Sequence, residues 1–187
     1  MRWIRSAGGP LILLGEFHLA EWHGVLRSTL ATGDTTLPSA GESRSDYERA
    51  CEVDAYVGQI RVGSSNALVL GGEPMDTGWI ASPRLTGGMI VRWLFGDNED
   101  EILQHVEKVS ESMFRLDGHF SFEGNKAVLF DSALAGRNVS RFPDECLVIE
   151  LGAGVYSVST AVCRPENKMY AVIHRFSPMS VAEEARA

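Results

Sequence analysis

The sequence is short of cysteine, short of basic charge and without a long apolar run. Its three cysteines, Cys51, Cys146 and Cys163, are an odd number with no CxxC spacing, which argues against a disulfide framework. No apolar run approaches the roughly 20 residues of a membrane-spanning helix. Acidic residues outnumber basic ones by 25 to 17, and the formal net charge of −8 disfavours binding to nucleic acids or anionic membranes. We therefore expect a reduced, cytoplasmic protein.

Residues 8–17, GGPLILLGEF, could begin a signal peptide, a phosphate-binding loop or the first strand of a sheet. A signal peptide has an apolar core of about 7–15 residues, whereas the unbroken run at 10–14 is followed at once by a glycine and a glutamate. Neither GxGxxG nor the glycine pattern of a P-loop is present, and Pro10 lacks a backbone N–H for a phosphate. We therefore predict two short strands, residues 3–6 and 11–14, joined through the glycines.

Much of the remaining chain alternates apolar with polar residues between glycine-rich turns, which is typical of antiparallel strands. We predict hairpin turns at residues 63–66, 124–125, 152–154 and 165–168, and an irregular segment at 73–79. One region has helical periodicity instead, behind an acidic first turn, so a helix should begin near Asn98. Its apolar stripe is Ile102, Leu103, Val106, Val109 and Met113.

The order of these segments predicts an α+β fold. It consists of mostly antiparallel β-sheet meanders with one well-defined amphipathic helix and one or two short helices, after Gly15 and at residues 46–52. The length of 187 residues suits a single domain, which we place at residues 1–178. A stretch rich in Gly, Ser and Thr at 32–46 should be a long loop, and the tail 179–187 should fray.

No combination of residues in the sequence builds a recognisable catalytic or metal site. His18 and His23 are five positions apart, so they do not share a helix face as an HExxH pair does. Cys51 lies in a polar segment with no base beside it, and the other two cysteines fall in predicted strands. Asp131 and Ser132 lack the GxSxG context of a nucleophile and predict a turn that bonds to its own backbone. We therefore expect no enzyme activity, no cofactor and no metal.

Recognisable features are spread along the chain from about Trp3 to Pro178. In order they are WIRSAGGPLILL, WHG, DYERACEVDAYVGQI, ALVLGGEPMDTGWI, GGMIVRWLFGDNE, VLFDSALAG, GAGVYSVSTAV and VIHRFSP. Taken together, this series resembles the immunity protein 21 family of bacterial polymorphic toxin systems. The resemblance rests on the order and spacing of the features, since no single motif is diagnostic.

The resemblance implies a cytoplasmic protein that binds and neutralises a cognate toxin domain and has no catalytic residues. Many toxin domains of such systems are nucleases with basic clefts, and an acidic inhibitor of a basic nuclease would gain association rate from electrostatic steering. Two alternatives stay open. One is an accessory ligand-binding or structural domain, and the other is an enzyme of unrecognised type with an acidic cleft.

Partner contacts are expected from exposed, irregular segments held by the sheet, because loops can vary without disturbing a core. The long loop 32–46 and the segment 73–79 are the first two candidates, and the acidic start of the helix near Asn98 would add a steering surface. The alternative is that Trp79 belongs to the core and that the acids only keep the protein soluble. The predicted contact residues are Asp46, Glu73, Asp76, Trp79, Asp97, Glu99 and Glu101.

Overall fold

Two antiparallel sheets facing each other form the centre of the computed structural model, which describes residues 1–26, 44–82 and 87–180. One sheet has six strands in the order β1-β5-β6-β11-β10-β7, and the other has five in the order β3-β4-β2-β8-β9. The strands are β1 (Trp3–Ile4), β2 (Leu11–Gly15), β3 (Gly58–Val62), β4 (Ser65–Leu70), β5 (Asp76–Ala81), β6 (Gly88–Phe95), β7 (Arg115–Phe122), β8 (Lys126–Asp131), β9 (Cys146–Glu150), β10 (Gly154–Cys163) and β11 (Tyr170–Pro178).

The helices of the described residues are few and short. There are two α-helices, α1 (Asp46–Cys51) and α2 (Glu99–Glu107). The 3₁₀ segments are Glu16–Glu21, Glu111–Met113, Gly136–Arg141, Pro143–Glu145 and Pro165–Asn167. The predicted α+β class and the dominance of antiparallel strands are therefore confirmed.

The main hydrophobic core lies between the two sheets. Side chains alternate along each strand, so Leu11 and Leu13 of β2 face this core whereas Ile12 and Leu14 face the opposite side. Burying each such side chain stabilises the fold by roughly 1.5–3 kcal/mol relative to leaving it exposed. The largest members of this core are Phe120, Phe122, Tyr156 and Phe176, all from the six-stranded sheet.

Each sheet also has a covered outer face. Ile12 and Leu14 pack beneath Trp22 and Ala50, which belong to the segments that cover the five-stranded sheet. Capping of α1 is complete, because the Ser45 hydroxyl accepts from the Glu48 amide and the Glu48 carboxylate accepts from the Ser45 amide. The outer face of the six-stranded sheet is covered by α2. Both faces of each sheet therefore contribute to hydrophobic burial.

Residues 8–17 form the loop and central strand that the sequence predicts. β2 lies in the middle of the five-stranded sheet, and every residue of it is buried. The loop before it is held by the Asp131 carboxylate, which accepts from the Ala7 amide at 2.8 Å. Gly9 packs so closely on Tyr47 that a Cβ would lie 2.6 Å from the ring. The other predicted strand is shorter than expected, since β1 ends at Ile4.

Two of the four predicted hairpin turns are wrong, whereas the one at 165–168 is confirmed, since it joins β10 to the antiparallel β11. Residues 124–125 and 152–154 do reverse the chain, but each carries it from one sheet to the other, because β7 and β10 belong to the six-stranded sheet and β8 and β9 to the five-stranded sheet. Turn residues mark a bend without specifying which strand the chain pairs with next. The turn predicted at 63–66 is a hairpin but a tighter one, since Val62 already pairs with Ser65. Gly63 supplies the positive φ, at 52°, that this two-residue turn requires.

The helix predicted near Asn98 is confirmed, although its apolar stripe is shorter than expected. The Asn98 side chain caps α2 by accepting from the Glu101 amide at 2.9 Å, and Ile102 and Val106 are buried against the sheet. α2 ends at Glu107 and a separate 3₁₀ turn follows, so Met113 does not continue the stripe. Its side chain is 45% exposed, which makes the prediction wrong for this residue.

The segment predicted to be irregular, 73–79, is partly regular. β5 begins at Asp76 and pairs with both β1 and β6, so only residues 73–75 precede the strand. Most of the predicted loop 32–46 lies outside the described residues, and so does the tail from residue 181. The end of that loop is described, and there Asp46 is already the first residue of α1.

Candidate partner-binding surface

A cleft of about 840 Å³ opens at one end of the two sheets, where β6 ends and β11 begins. We call it the end cleft. A second depression of about 530 Å³ adjoins it and shares Tyr56 and Asp117 with it. The end cleft is lined by Asp54, Ala55, Tyr56, Gly72, Glu73, Pro74, Met75, Leu94, Phe95, Asp117, Arg164 and Tyr170.

Aromatic side chains form the floor and one wall of the end cleft. The hydroxyls of Tyr56 and Tyr170 are hydrogen bonded at 2.6 Å, which joins the segment before β3 to the start of β11. The Phe95 ring stacks on the Tyr170 ring, with centroids 6.4 Å apart and planes inclined by 25°. The Arg164 guanidinium lies over the Tyr170 ring, 4.5 Å from its centroid. Leu94 and Phe95 remain 40% and 45% exposed, although both are large and apolar.

Carboxylates outnumber cations around these rings. Asp54, Glu73 and Asp117 line the end cleft, and Arg164 is the one basic residue among its lining side chains. Partial burial raises the pKa of the Asp117 carboxyl, and the hydrogen bond that it accepts from Thr160 opposes this rise. The end cleft is therefore an apolar surface with an acidic margin.

A chain of buried polar side chains runs inward from Asp117. The Thr160 hydroxyl donates to the Asp117 carboxylate at 2.6 Å and lies 2.8 Å from Nδ1 of His174. Because that hydroxyl has a single proton, Nδ1 of His174 must carry the proton of the second bond. Complete burial, together with the charge of Arg92, holds the pKa of His174 well below its ordinary value. His174 is therefore a neutral imidazole between the sheets.

Arg92 fixes the rim of the end cleft from beneath. Its Nη1 donates to the Gly71 carbonyl at 2.7 Å and its Nη2 to the Glu73 carbonyl at 3.2 Å. Burial lowers the pKa of Arg92 to about 10, so the guanidinium stays protonated at neutral pH. Two hydrogen bonds from one planar group define the path of residues 71–73, and this places the Glu73 side chain at the cleft.

Only part of the predicted contact set lies at this end of the sandwich. Glu73 lines the end cleft, and Asp97 is exposed only two residues after Phe95. Glu101 is half-buried on the first turn of α2 and lies 3.9 Å from His105. Of the predicted contact residues, only Glu73 lines the end cleft itself.

The other predicted contact residues are engaged within the chain. Asp46 accepts from the His23 amide and from Arg49, and Asp76 pairs with Arg5 at 3.3 Å. Trp79 packs on the core cluster between the sheets and meets Phe176 edge-on, as the alternative for this residue had it. Glu99 accepts from the Trp3 indole at 3.0 Å and from the amino terminus, and these bonds lower the pKa of its carboxyl.

Sequence reasoning missed the residues that shape the end cleft. Tyr56, Phe95, Asp117 and Arg164 come from four separate segments, and no spacing in the sequence connects them. One signal was present: the strand MIVRWLF ends in two large apolar residues directly before an acidic run. An apolar strand end beside charges is a place where a sheet can leave hydrophobic surface exposed.

The side chains considered for catalysis differ in their burial. Cys51 is exposed whereas Cys146 and Cys163 are buried, and burial raises the pKa of both buried thiols. The turn predicted at Asp131 and Ser132 is confirmed for Asp131, whose carboxylate accepts from the Ala133 amide at 2.8 Å, but the Ser132 hydroxyl has no hydrogen-bond partner in the described residues. Ser132 is fully buried beside it. In the part of the chain that the structure describes, His, Cys, Asp and Glu form no cluster of three able to hold a metal ion.

The described helices include none with the length and hydropathy needed to cross a bilayer. Neither the curated proteins nor the solved structures contain a chain that matches this one. The family model of immunity protein 21 matches residues 2–169, which is most of the sequence. The chain therefore belongs to the immunity protein 21 family.

Proposed function

We propose that this protein neutralises a cognate bacterial toxin domain by binding it stoichiometrically in the cytoplasm. The observation that supports this proposal is the family match over residues 2–169. An inhibitor of this kind needs a rigid scaffold and an exposed contact surface and carries out no reaction itself. The two packed sheets offer such a scaffold, and the end cleft offers such a surface.

The end cleft has the composition of a protein contact surface. Binding hot spots are enriched in aromatic side chains and arginine, set in a polar rim, and Tyr56, Phe95 and Arg164 lie here within a margin of carboxylates. Exposed leucine and phenylalanine side by side are unusual on a surface that meets only water. A basic partner, such as a nuclease domain, would complement the excess of carboxylates.

Co-expression with the toxin domain encoded by a neighbouring gene tests the proposal. We expect the two chains to co-purify as a complex with fixed stoichiometry, and we expect growth arrest by the toxin domain to be relieved. The matched control is an unrelated toxin domain of the same activity, which should neither bind nor be neutralised. A folded chain that leaves its neighbouring toxin domain fully active and unbound would contradict the proposal.

A further inference from the structure

We infer that the end cleft receives an arginine side chain of the partner protein, stacked on the exposed aromatic rings and paired with the carboxylates at the margin. This inference rests on the proposed function and adds the chemistry of the group that is bound. It assigns the contact to Phe95, Asp117 and Glu73.

The protein itself shows that the aromatic wall accepts a guanidinium. Arg164 lies over the Tyr170 ring with its Cζ 4.5 Å from the centroid. The Phe95 ring continues the same surface and is 45% exposed, so it offers an open aromatic face to a second planar cation. Guanidinium groups are weakly hydrated and stack on such rings, whereas an ammonium group keeps its water more tightly. The open ring therefore favours arginine over lysine.

Acidic side chains predominate among the charged groups that line the end cleft, although Arg92 lies buried beneath its rim. Asp54, Glu73 and Asp117 are three carboxylates, and Arg164 supplies one positive charge among the lining side chains. Asp117 accepts a hydrogen bond from Thr160, but this bond brings no charge to it. An incoming guanidinium has five N–H donors in a fork that matches carboxylate oxygens. It would pair with these lining carboxylates and leave its planar face for Phe95.

The rim is held in place before any partner arrives. Arg92 bonds the carbonyls of Gly71 and Glu73, and the Tyr56–Tyr170 hydroxyl pair ties the segment before β3 to β11. A site whose groups are already positioned loses less conformational entropy when a ligand binds. The end cleft is thus preorganised, and a side chain can bind there without a change in the backbone around it.

Affinity for the toxin domain, measured by calorimetry, tests the assignment. Phe95→Ala and Asp117→Asn should each weaken binding by about 10-fold or more. Asparagine keeps an oxygen that can accept from Thr160, so loss of affinity in Asp117→Asn reports the loss of the negative charge.

The matched controls are Phe17→Ala and Glu123→Gln. Phe17 is 68% exposed and packs on Gly124. Glu123 directly follows the end of β7, about 20 Å from Asp117 near its start. Both should leave affinity unchanged.

A double-mutant cycle identifies the partner group. Each arginine and lysine of the toxin domain is replaced by alanine and measured against wild type and Asp117→Asn. One arginine should lose most of its effect in the Asp117→Asn background. Coupling to a lysine, or to no cation, would overturn the inference, and so would a Phe95→Ala variant that binds as tightly as wild type. Wild-type protein that binds no toxin domain would instead overturn the proposed function.

Discussion

Arg92 and His174 place a permanent charge beside a neutral imidazole in the space between the sheets. Both residues are almost completely buried, and their inward direction follows from alternation along β6 and β11. No carboxylate pairs with Arg92 among the residues that the structure describes, so two backbone carbonyls satisfy its Nη atoms. A second positive charge on His174 would meet this guanidinium at low dielectric. The interior is therefore sensitive to acid.

Acid sensitivity of the fold should trace to His174. Its pKa is near 6.5 in the unfolded chain and well below that in the folded protein. Below pH 6.5 the unfolded chain therefore binds a proton that the folded protein does not, and stability falls as the pH falls. The loss should approach about 1.4 kcal/mol per pH unit. Urea unfolding between pH 7 and pH 5 measures this slope. His174→Gln should flatten it, while the half-exposed His105→Gln should not.

Removal of the candidate nucleophiles should leave protection against the toxin intact. Cys51 is exposed at the end of α1, and the Ser132 hydroxyl is buried without a hydrogen-bond partner in the described residues. Deleting an unpartnered hydroxyl costs little stability, so Ser132→Ala should fold normally. We expect Cys51→Ala and Ser132→Ala to protect cells as well as wild type does. A folded variant that still binds the toxin but no longer protects would reveal chemistry at that residue.

At the scale of elements, α2 is the longest of the described helices, and its stability should come from the face that it buries. Val106 is 4% exposed beneath the helix, whereas Met113 beyond its end is 45% exposed. Val106→Ala should therefore lower the free energy of unfolding by on the order of 1–3 kcal/mol, through lost burial and a residual void. Chemical denaturation measures the difference, with Met113→Ala as the matched control. Equal losses in the two variants would contradict the packing of α2.

The elements that could be predicted from the sequence are those with strong local patterns. The alternation in β6 and β11 and the acidic cap of α2 are local, and both were identified. β5 was missed because Pro74 and Gly78 lie in or beside it and both residue types are rare in strands. Gly78 approaches β1 closely, since a Cβ there would lie 3.0 Å from the Trp3 ring and 3.1 Å from the Arg2 carbonyl oxygen. Such close approaches depend on a partner strand that sequence reasoning could not place.

The wrong hairpin predictions have another cause, which is that strand pairing depends on residues far apart in the sequence. Glycines at 124 and 154 predict a turn equally well whether the chain returns to the same sheet or crosses to the other. The end cleft was beyond prediction for the same reason, because Tyr56 and Tyr170 come together only once both sheets are assembled. Local charge alone led to the choice of Glu73 and Asp97, and their contact with a partner stays a prediction. Asp46 and Glu99 form hydrogen bonds within the chain. The sequence could not show this, because their partners are brought close only by the fold.

At the scale of the whole molecule, the effect of the net charge of −8 on association depends on the positions of the acidic residues. The start of α2 follows β6 directly, so Asp97 and Glu101 lie at the same end of the sandwich as the end cleft. Exposed charges act over a Debye length of about 8–10 Å at ordinary ionic strength. Acids near the end cleft therefore raise the rate of encounter with a basic partner even where they make no contact in the complex.

Charge reversal at the start of α2 should slow association with a basic toxin domain. Asp97→Lys/Glu101→Lys keeps Glu99, whose bonds to Trp3 and the amino terminus hold β1 against the helix. At low salt we expect the association rate constant, measured by stopped flow, to fall several-fold, with little change in dissociation. Added salt should shrink the difference, because it screens exposed charges. The control, Glu123→Lys/Glu150→Lys, changes the net charge equally at the opposite end of the sandwich. If both double variants slow association equally, net charge alone accounts for the rate, and the start of α2 has no special role in steering.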